Sequence, residues 1–455
     1  MDWDIQKERL DALVMKDKRG ELRGALRMLN SVDIAMYLST LDTEQMLKVF
    51  RILPKDISSE VFSYMDEEQR EKLISSIGDA EICQLVDDMF IDDAVDFLEE
   101  LPNELVKRVL ENVSPETRSL INRFLSYPDN SAGSIMTIEL CALPCDYTVA
   151  EAMAEIRRTG LDKETINTLY VIDEKGKLVG TLALRKLICA GDDDRISELM
   201  DTSFISVSTL EDQETVAETV RKYDLLAVPV IDKEGRPVGI ITADDIMDVM
   251  QQEATEDIEM MSALTPSEDA YMKTGIWKLV KNRLPWLVIM LICSIFTGFI
   301  ISHYEDLLTN TTVVGAIGIA LTACIPMIMD TGGNCGQQSS TLVIRGLATD
   351  EISPKDALKV LWKEFRVSLI VAVVLAAVCF GIQFLLFHRD LTVALTISAA
   401  MLIAVVLSKL LGGLLPLGAK ALKLDPALTA TPLITTLADM GSLLVLFVLA
   451  SAVLL

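Results

Sequence analysis

The chain has 455 residues and a net charge of −26, from 67 acidic and 41 basic side chains. So acidic a surface excludes nucleic acid as a partner unless cations screen it, and it favours cations or basic proteins. The excess is confined to the first 275 residues, because residues 276–455 carry 10 acidic and 12 basic side chains.

Residues 1–128 read as an all-α domain of short helices. Apolar side chains recur at helical spacing, as in Leu22, Leu26, Leu29 and in Ala94, Phe97, Leu98, Leu101. Breaks fall at Leu53-Pro54, Ser76-Ile77-Gly78, Leu101-Pro102 and Ser114-Pro115, and a proline suits the first turn of the helix that follows. The regular distance between breaks predicts a small superhelix of helix pairs, with an ordinary helical bundle as the competing arrangement. The acidic start, Met1-Asp-Trp-Asp, has no apolar run behind it and predicts no signal peptide. The eight cysteines and two histidines are too scattered for a zinc site, so the thiols are expected to be reduced and cytosol-facing.

Residues 131–252 hold an internal repeat. Tyr170-Val-Ile-Asp-Glu-Lys-Gly-Lys-Leu-Val-Gly180 is matched by Pro229-Val-Ile-Asp-Lys-Glu-Gly-Arg-Pro-Val-Gly239. Each copy predicts strand, tight turn, strand, then a helix, over Leu184–Cys189 and from Asp244 to Met250. Each is preceded by a methionine-bearing lead, Ser134-Ile-Met-Thr and Ser197-Glu-Leu-Met-Asp, and a further helix is expected after Tyr147-Thr-Val and after Glu214-Thr-Val. This duplication resembles a pair of CBS motifs, an α/β regulatory module that often binds adenine nucleotides. The ribose-contacting pattern of that family is matched by Thr242 and Asp245. Ala183-Leu-Arg-Lys186 stands in its place in the first half, so the resemblance implies at most one nucleotide (ATP) site, or a scaffold without ligand.

Residues 253–282 are expected to form a connecting helix that enters the membrane at Lys278, Lys281 and Arg283. Five apolar spans follow, at about 284–302, 311–329, 365–387, 392–418 and 431–455, within a membrane domain covering 283–455. Basic residues cluster before the first span, between the second and third, and between the fourth and fifth. That pattern predicts a cell-membrane protein with its N-terminus in the cytoplasm and its C-terminus outside. Five spans make a thin bundle, so a pore is expected between two copies.

Two membrane stretches carry chemistry. The last span contains a single charge, Asp439, with Thr435 and Thr436 one turn earlier and Pro432 near its start. A carboxylate there is costly unless it faces water, a cation or a partner, and hydroxyls beside it make an oxygen-rich face suited to a hard cation. The second stretch, Asp330-Thr-Gly-Gly-Asn334-Cys-Gly-Gln-Gln-Ser, suits close helix packing or backbone exposed along a pore. Asn334, Thr435 and Thr436 are the expected pore-lining residues.

The Thr331–Ser339 stretch, Leu342-Val-Ile-Arg-Gly-Leu-Ala-Thr349, Asp425-Pro-Ala-Leu, Pro432-Leu-Ile-Thr-Thr-Leu-Ala-Asp439 and Glu253-Ala-Thr-Glu-Asp-Ile258 together resemble the MgtE family of magnesium transporters and channels. The resemblance covers essentially the whole chain and implies a multidomain homodimer: helical N-domain, CBS pair, connecting helix and five-span pore. It implies that Asp439 is the pore carboxylate. It also implies a magnesium sensor that closes the pore, at Glu60, Asp92, Asp96, Glu214, Asp224, Asp245, Asp248, Glu253, Glu256 and Asp257, with the adjacent Asp93 and Asp244 able to substitute. Asp92 with Asp96 and Asp245 with Asp248 are at same-face helical spacing, where carboxylates repel unless a cation lies between them. Thr431-Pro432 departs from the family's usual Asn-Pro at the mouth of the last span. An anion channel regulated by CBS motifs is the alternative, disfavoured by Asp439 and by an expected lack of intramembrane Lys or Arg near it. A membrane enzyme is disfavoured by the absence of catalytic spacings.

Overall fold

The computed structural model describes the chain except residues 1–2, 17, 88, 100, 102, 268–270, 273, 306–314, 350, 428–430 and 455. It divides into two compact units, Met1–Met250 and Gln251–Leu455.

The first unit opens with ten short helices: α1 (Trp3–Met15), α2 (Arg19–Leu26), α3 (Ser31–Ser39), α4 (Thr43–Phe50), α5 (Lys55–Ser63), α6 (Glu67–Ser76), α7 (Asp79–Asp87), α8 (Ile91–Glu99), α9 (Asn103–Asn112) and α10 (Pro115–Phe124). Their starts are chemically marked. Asp42, Asp66 and Ser114 each accept the backbone N–H three residues on, and Pro115 occupies the first turn of α10. Pro54 lies just before α5 rather than inside its first turn. Pro102 lies outside the described residues. Alternate helices stack, α3 on α5, α5 on α7, α7 on α9, α4 on α6 and α8 on α10. That is the pairwise superhelix rather than an ordinary bundle. Phe62 and Phe97 meet edge to face at 4.9 Å in its core.

Two three-stranded sheets follow. The first is β1 (Ala142–Pro144), β2 (Thr168–Ile172) and β3 (Leu178–Ala183); the second is β4 (Val207–Ser208), β5 (Ala227–Ile231) and β6 (Pro237–Thr242). In each, the first pair is parallel and the second antiparallel, as the repeat requires. The parallel pairs enclose α11 (Val149–Thr159) and, in the second half, α14 (Gln213–Tyr223). The α14 helix begins before Glu214, not after Glu214-Thr-Val, because the Asp212 carboxylate accepts the Glu214 N–H and caps it there. Short helices α12 (Leu184–Cys189) and α13 (Ile196–Leu199) complete the first half, and α15 (Ala243–Met261) follows β6.

The two methionine leads are exchanged. Thr137 of the first lead trades both backbone hydrogen bonds with Ile240 of β6, each 2.8 Å, and Asp201 of the second lead does the same with Thr181 of β3. Each crossing passes over a glycine. A Cβ on Gly239 would stand 2.6 Å from the Thr137 carbonyl oxygen and 2.8 Å from the Met136 sulfur; on Gly180 the nearest backbone atom, the Asp201 oxygen, is 3.0 Å away. A methionine can swing aside, but a paired carbonyl cannot. Gly239→Ala should therefore cost about 1–3 kcal/mol, and more than Gly180→Ala, as measured by thermal unfolding.

The N-domain core continues into the second half. A single apolar cluster joins Leu26, Phe62, Phe97 and Phe124 to Met136, Val216 and Ile246, whereas the first half has its own core around Leu143, Val171 and Leu187. This continuity sets α8 beside the start of α15.

The expected connecting helix over 253–282 is not a single helix. The last CBS helix runs unbroken to Met261, past its expected end at Met250, and the next helix begins at Ile276. The second unit comprises α16 (Ile276–His303), α17 (Gly315–Ala348), α18 (Ala357–Gly381), α19 (Leu391–Ala421) and α20 (Thr431–Leu454). Among the described residues, four helices are long and apolar enough to cross a membrane: Ile276–His303, Pro354–Leu386, Leu391–Ala421 and Leu433–Val453. The helix α17 is not one of the four, and residues 311–314 at the start of the expected second span lie outside the described residues. Its polar stretch is neither a turn nor an unwound segment but part of one 34-residue helix. Helix α19 is the centre of the unit and packs on α17, α18 and α20.

Candidate functional site

In the membrane unit the glycines of α17 are packing positions. The Gly336 carbonyl lies against Gly412 of α19, where no Cβ could fit, and a Cβ on Gly336 would meet Ile434 of α20 at 2.9 Å. This close approach fixes which face of α17 looks inward. Gly332, Gly333, Cys335 and Gly336 are buried, while Pro326, Asp330, Asn334 and Gln338, each one turn apart, are exposed. The result is a polar stripe along a helix otherwise rich in Ala, Ile and Met.

Asp439, half-buried on α20, adjoins this stripe. Its Oδ1 lies 3.5 Å from where a Cβ on Gly333 would stand, and Thr435 contacts the same point at 3.4 Å. Asp439 also feels the charge of Asp330. Of the expected pore residues, Asp439, Thr435 and Asn334 thus gather around one turn of α17. The Thr436 hydroxyl turns instead toward Met290 of α16, 3.8 Å from its sulfur. Helix α20 starts at Thr431, so Pro432 sits in the first turn and does not loosen backbone near Asp439. Asp330 and Gln338 were not among the expected residues, although their four-residue spacing with Asn334 was visible.

A buried base was also missed. Lys409 of α19 is only 6% exposed. Its ammonium donates to the Ser339 hydroxyl at 3.3 Å, and Ser339 donates to Glu364 of α18 at 2.7 Å. Lys409 thus lies inside the expected fourth span, and its hydrogen-bond chain runs to Ser339 and Glu364 rather than to Asp439. Lys409 is balanced by Glu364 through a serine, which leaves the case against an anion pathway standing on that pairing.

In the first unit, acids from three segments converge. Asp92 and Asp93 open α8, Asp244 and Asp245 open α15, and Glu164 lies in the loop before β2, where its N–H bonds the Glu139 carbonyl at 3.0 Å. Burial and the charges of Asp93 and Asp245 push the Asp92 carboxyl up to about 8, and its buried Oδ1 has no hydrogen-bond partner. Burial, then Asp245, Asp244 and Asp93, push Glu164 up to about 7. Asp93 and Asp245 are also raised by burial, but partly relieved by hydroxyls: Ser63 donates to Asp93 at 3.0 Å and Thr242 to Asp245 at 2.6 Å. Glu60 borders the group through Tyr64. Asp96, Glu214, Asp224 and Asp248 are exposed on the surface of the same unit, outside the group. Asp92 and Asp96 lie one turn apart on α8, with Asp92 half-buried in the group and Asp96 exposed beside it. Glu164 was not foreseen, since only tertiary contact brings it in.

Among the described residues no set of three ligands stands close enough to hold a metal as placed. The donor chemistry nonetheless fits a hard cation: carboxylates that repel one another, with Arg70 partly relieving Asp93, and one of them, Asp92, with an orphaned buried oxygen. Their raised pKa values have a consequence. A carboxyl whose folded pKa lies above its unfolded value near 4 favours the folded state at low pH and loses that contribution as pH rises through the folded value. In chelator, the thermal stability of residues 1–250 should fall between pH 4 and about 8, and millimolar Mg²⁺ should flatten the slope. A pH profile identical with and without Mg²⁺ would count against a cation at this group.

In the second unit, Glu253, Glu256 and Asp257 of α15 are half-exposed. Burial, then Asp425 and Glu253, raise the Asp257 carboxyl, opposed by Lys420. Asp257 thus faces a carboxylate just before the last span, Asp425, whose Oδ1 accepts the Ala427 N–H at 2.7 Å.

Comparison with known proteins agrees with this division. The family profile described as "Divalent cation transporter" matches residues 325–449, that of the "MgtE intracellular N domain" residues 29–130, and the CBS domain residues 132–192 and 196–252. The magnesium transporter MgtE of Thermus thermophilus is 34% identical over 438 residues, 96% of this chain and 95% of that protein. That of Bacillus subtilis is 31% identical over 452 residues, 99% of this chain and 98% of that protein. Among solved structures, the soluble part of a magnesium transporter aligns over 56% of this chain and all of its own, with 30% identity and a TM-score of 0.54. The cytosolic domain of the Mg²⁺ channel MgtE in complex with ATP aligns over 53% of this chain and 99% of its own, with 32% identity and a TM-score of 0.51.

Proposed function

Since the chain belongs to the MgtE family of magnesium transporters, we propose that it works as a homodimeric magnesium channel whose pore is lined by the polar stripe of α17 and by Asp439. The stripe is the observation that carries this reading. Asp330, Asn334 and Gln338 are exposed along a helix of the membrane unit. Polar side chains facing hydrocarbon are costly, so the stripe calls for water or a partner chain over it. A second copy with its own stripe opposite supplies both, and five spans per copy then enclose a wet path. Mg²⁺ gives up its water reluctantly, so Asp439 and Asn334 hold the hydrated ion as acceptors rather than strip it.

The acid groups of the cytosolic part are the sensor in this reading. Mg²⁺ relieves the repulsion among Asp92, Asp93, Glu164, Asp244 and Asp245, favours the compact state and closes the pore; Glu253, Glu256 and Asp257 pass that state to the loop at Asp425. Glu60, Asp96, Glu214, Asp224 and Asp248 are surface ligands for the same ion class. In this reading the N-terminus is cytoplasmic and the C-terminus outside, an orientation that the basic clusters favour. ATP is proposed at Thr242 and Asp245, where a ribose would compete for their mutual hydrogen bond.

Replacing Asn334 with leucine keeps the helix and removes one acceptor ring. Mg²⁺ flux should fall about tenfold or more with dimer assembly unchanged. Flux at the unaltered level would take α17 out of the pore.

A further inference from the structure

The membrane unit carries a second feature that conduction does not use. An open apolar groove of about 640 Å³ runs between α18 and α19. Leu358, Trp362 and Phe365 form one wall, and Leu407, Leu411 and Leu414 the other. This volume is in the range of small-molecule sites, yet no polar side chain lines it. Trp362 is 60% exposed and stacks on Phe365 at 5.7 Å between ring centres.

The rim is basic. The Arg366 guanidinium lies 5.9 Å from the centre of the Trp362 ring, one turn further along α18. Lys363 is beside Trp362 in sequence, and Lys355 lies one turn before Leu358. The acids on this segment are engaged elsewhere: Asp356 pairs with Lys359 at 2.8 Å, and Glu364 accepts from Ser339. Among the described residues, Lys355, Lys363 and Arg366 have no acidic partner. An aromatic at the polar boundary, an acyl-wide apolar trough and unmatched positive charge at its mouth are complementary to one molecule, a phospholipid with an anionic headgroup.

We propose that this groove binds an anionic phospholipid, with an acyl chain along Leu407, Leu411 and Leu414 and the headgroup phosphate held by Lys363 and Arg366. The inference does not depend on which ion the pore conducts.

The test uses the full chain reconstituted in phosphatidylcholine vesicles containing a minor fraction of lipid brominated in its acyl chain, either phosphatidylglycerol or phosphatidylcholine. Quenching of Trp362 is read as the difference between the unaltered chain and Trp362→Phe. Brominated phosphatidylglycerol should quench about fivefold more effectively than brominated phosphatidylcholine at equal fraction. Lys363→Gln with Arg366→Gln should equalise the two lipids. Leu407→Phe with Leu411→Phe, which fills the trough and leaves the charges, should abolish the preference as well. Equal quenching in the unaltered chain would show a bulk-lipid face and overturn the proposal. Quenching by neither lipid would mean that a second copy covers the groove. A preference that survives filling would place the lipid on the surface charges alone. Either of these also overturns it.

Discussion

Asp439→Asn should abolish Mg²⁺ flux while the protein still inserts and assembles. The substitution preserves shape and hydrogen-bonding reach, so what it removes is charge. Unit charges about 4 Å apart interact by about 1 kcal/mol in bulk water and about 4 kcal/mol near a protein surface. A divalent ion held by two such carboxylates, one from each copy, would lose several times the smaller figure. The expected fall in flux is therefore about a hundredfold or more. Asp330 is exposed one turn of α17 away from Asn334 and bears on Asp439. It should not substitute, because it stands on α17, whereas Asp439 lies on α20 against Gly333. Isotope-free uptake measured with a Mg²⁺-sensitive dye distinguishes the outcomes, and uptake within twofold of the unaltered chain would reject the pore assignment.

The second large effect concerns closure. Asp92 and Glu164 are the acids that tertiary contact holds furthest above the ordinary carboxylate range, at about 8 and about 7. Asp92→Asn with Glu164→Gln removes their repulsion and two candidate ligands together, without touching the Thr242–Asp245 hydrogen bond that starts α15. Less repulsion favours the compact, closed state. Fewer ligands weaken the Mg²⁺ dependence of that state, and the channel then stays open at Mg²⁺ levels that close the unaltered chain. The loss of ligands should dominate, because the ion stabilises closure only through its preference for the compact state. Flux should persist at about tenfold higher Mg²⁺, and Mg²⁺ should no longer protect residues 1–250 from proteolysis. Closure at an unchanged concentration with unchanged protection would remove the sensor role and leave the pore reading intact.

Much of the architecture was legible because its signals are local. The repeat at Tyr170 and Pro229 carries its own turn glycines, and Asp42, Asp66 and Ser114 mark helix starts within three residues. The family resemblance supplied the rest of the order. What sequence spacing missed was non-local. Glu164 joins Asp92 only because α8 packs beside the start of α15, and Asp425 meets Asp257 from a different helix end. The glycines after Asp330 left two readings open, close helix packing or backbone exposed along a pore, and the contacts of Gly336 with Gly412 and Ile434 decide for packing. Inside a packed membrane bundle, glycine is a contact surface, so the helix runs straight through and its polar face becomes a stripe. Lys409 stands in the sequence inside the expected fourth span, but its partner does not: Glu364 lies on another helix with Ser339 between them.

The most direct measurement is Mg²⁺ flux through the full chain in proteoliposomes, with Mg²⁺ varied on the side that holds the acidic domains and chloride flux recorded in parallel. The account predicts a Mg²⁺ conductance that chloride does not share and that falls as Mg²⁺ on that side rises. Chloride flux equal to that of Mg²⁺, or Mg²⁺ flux indifferent to Mg²⁺ on that side, would contradict it.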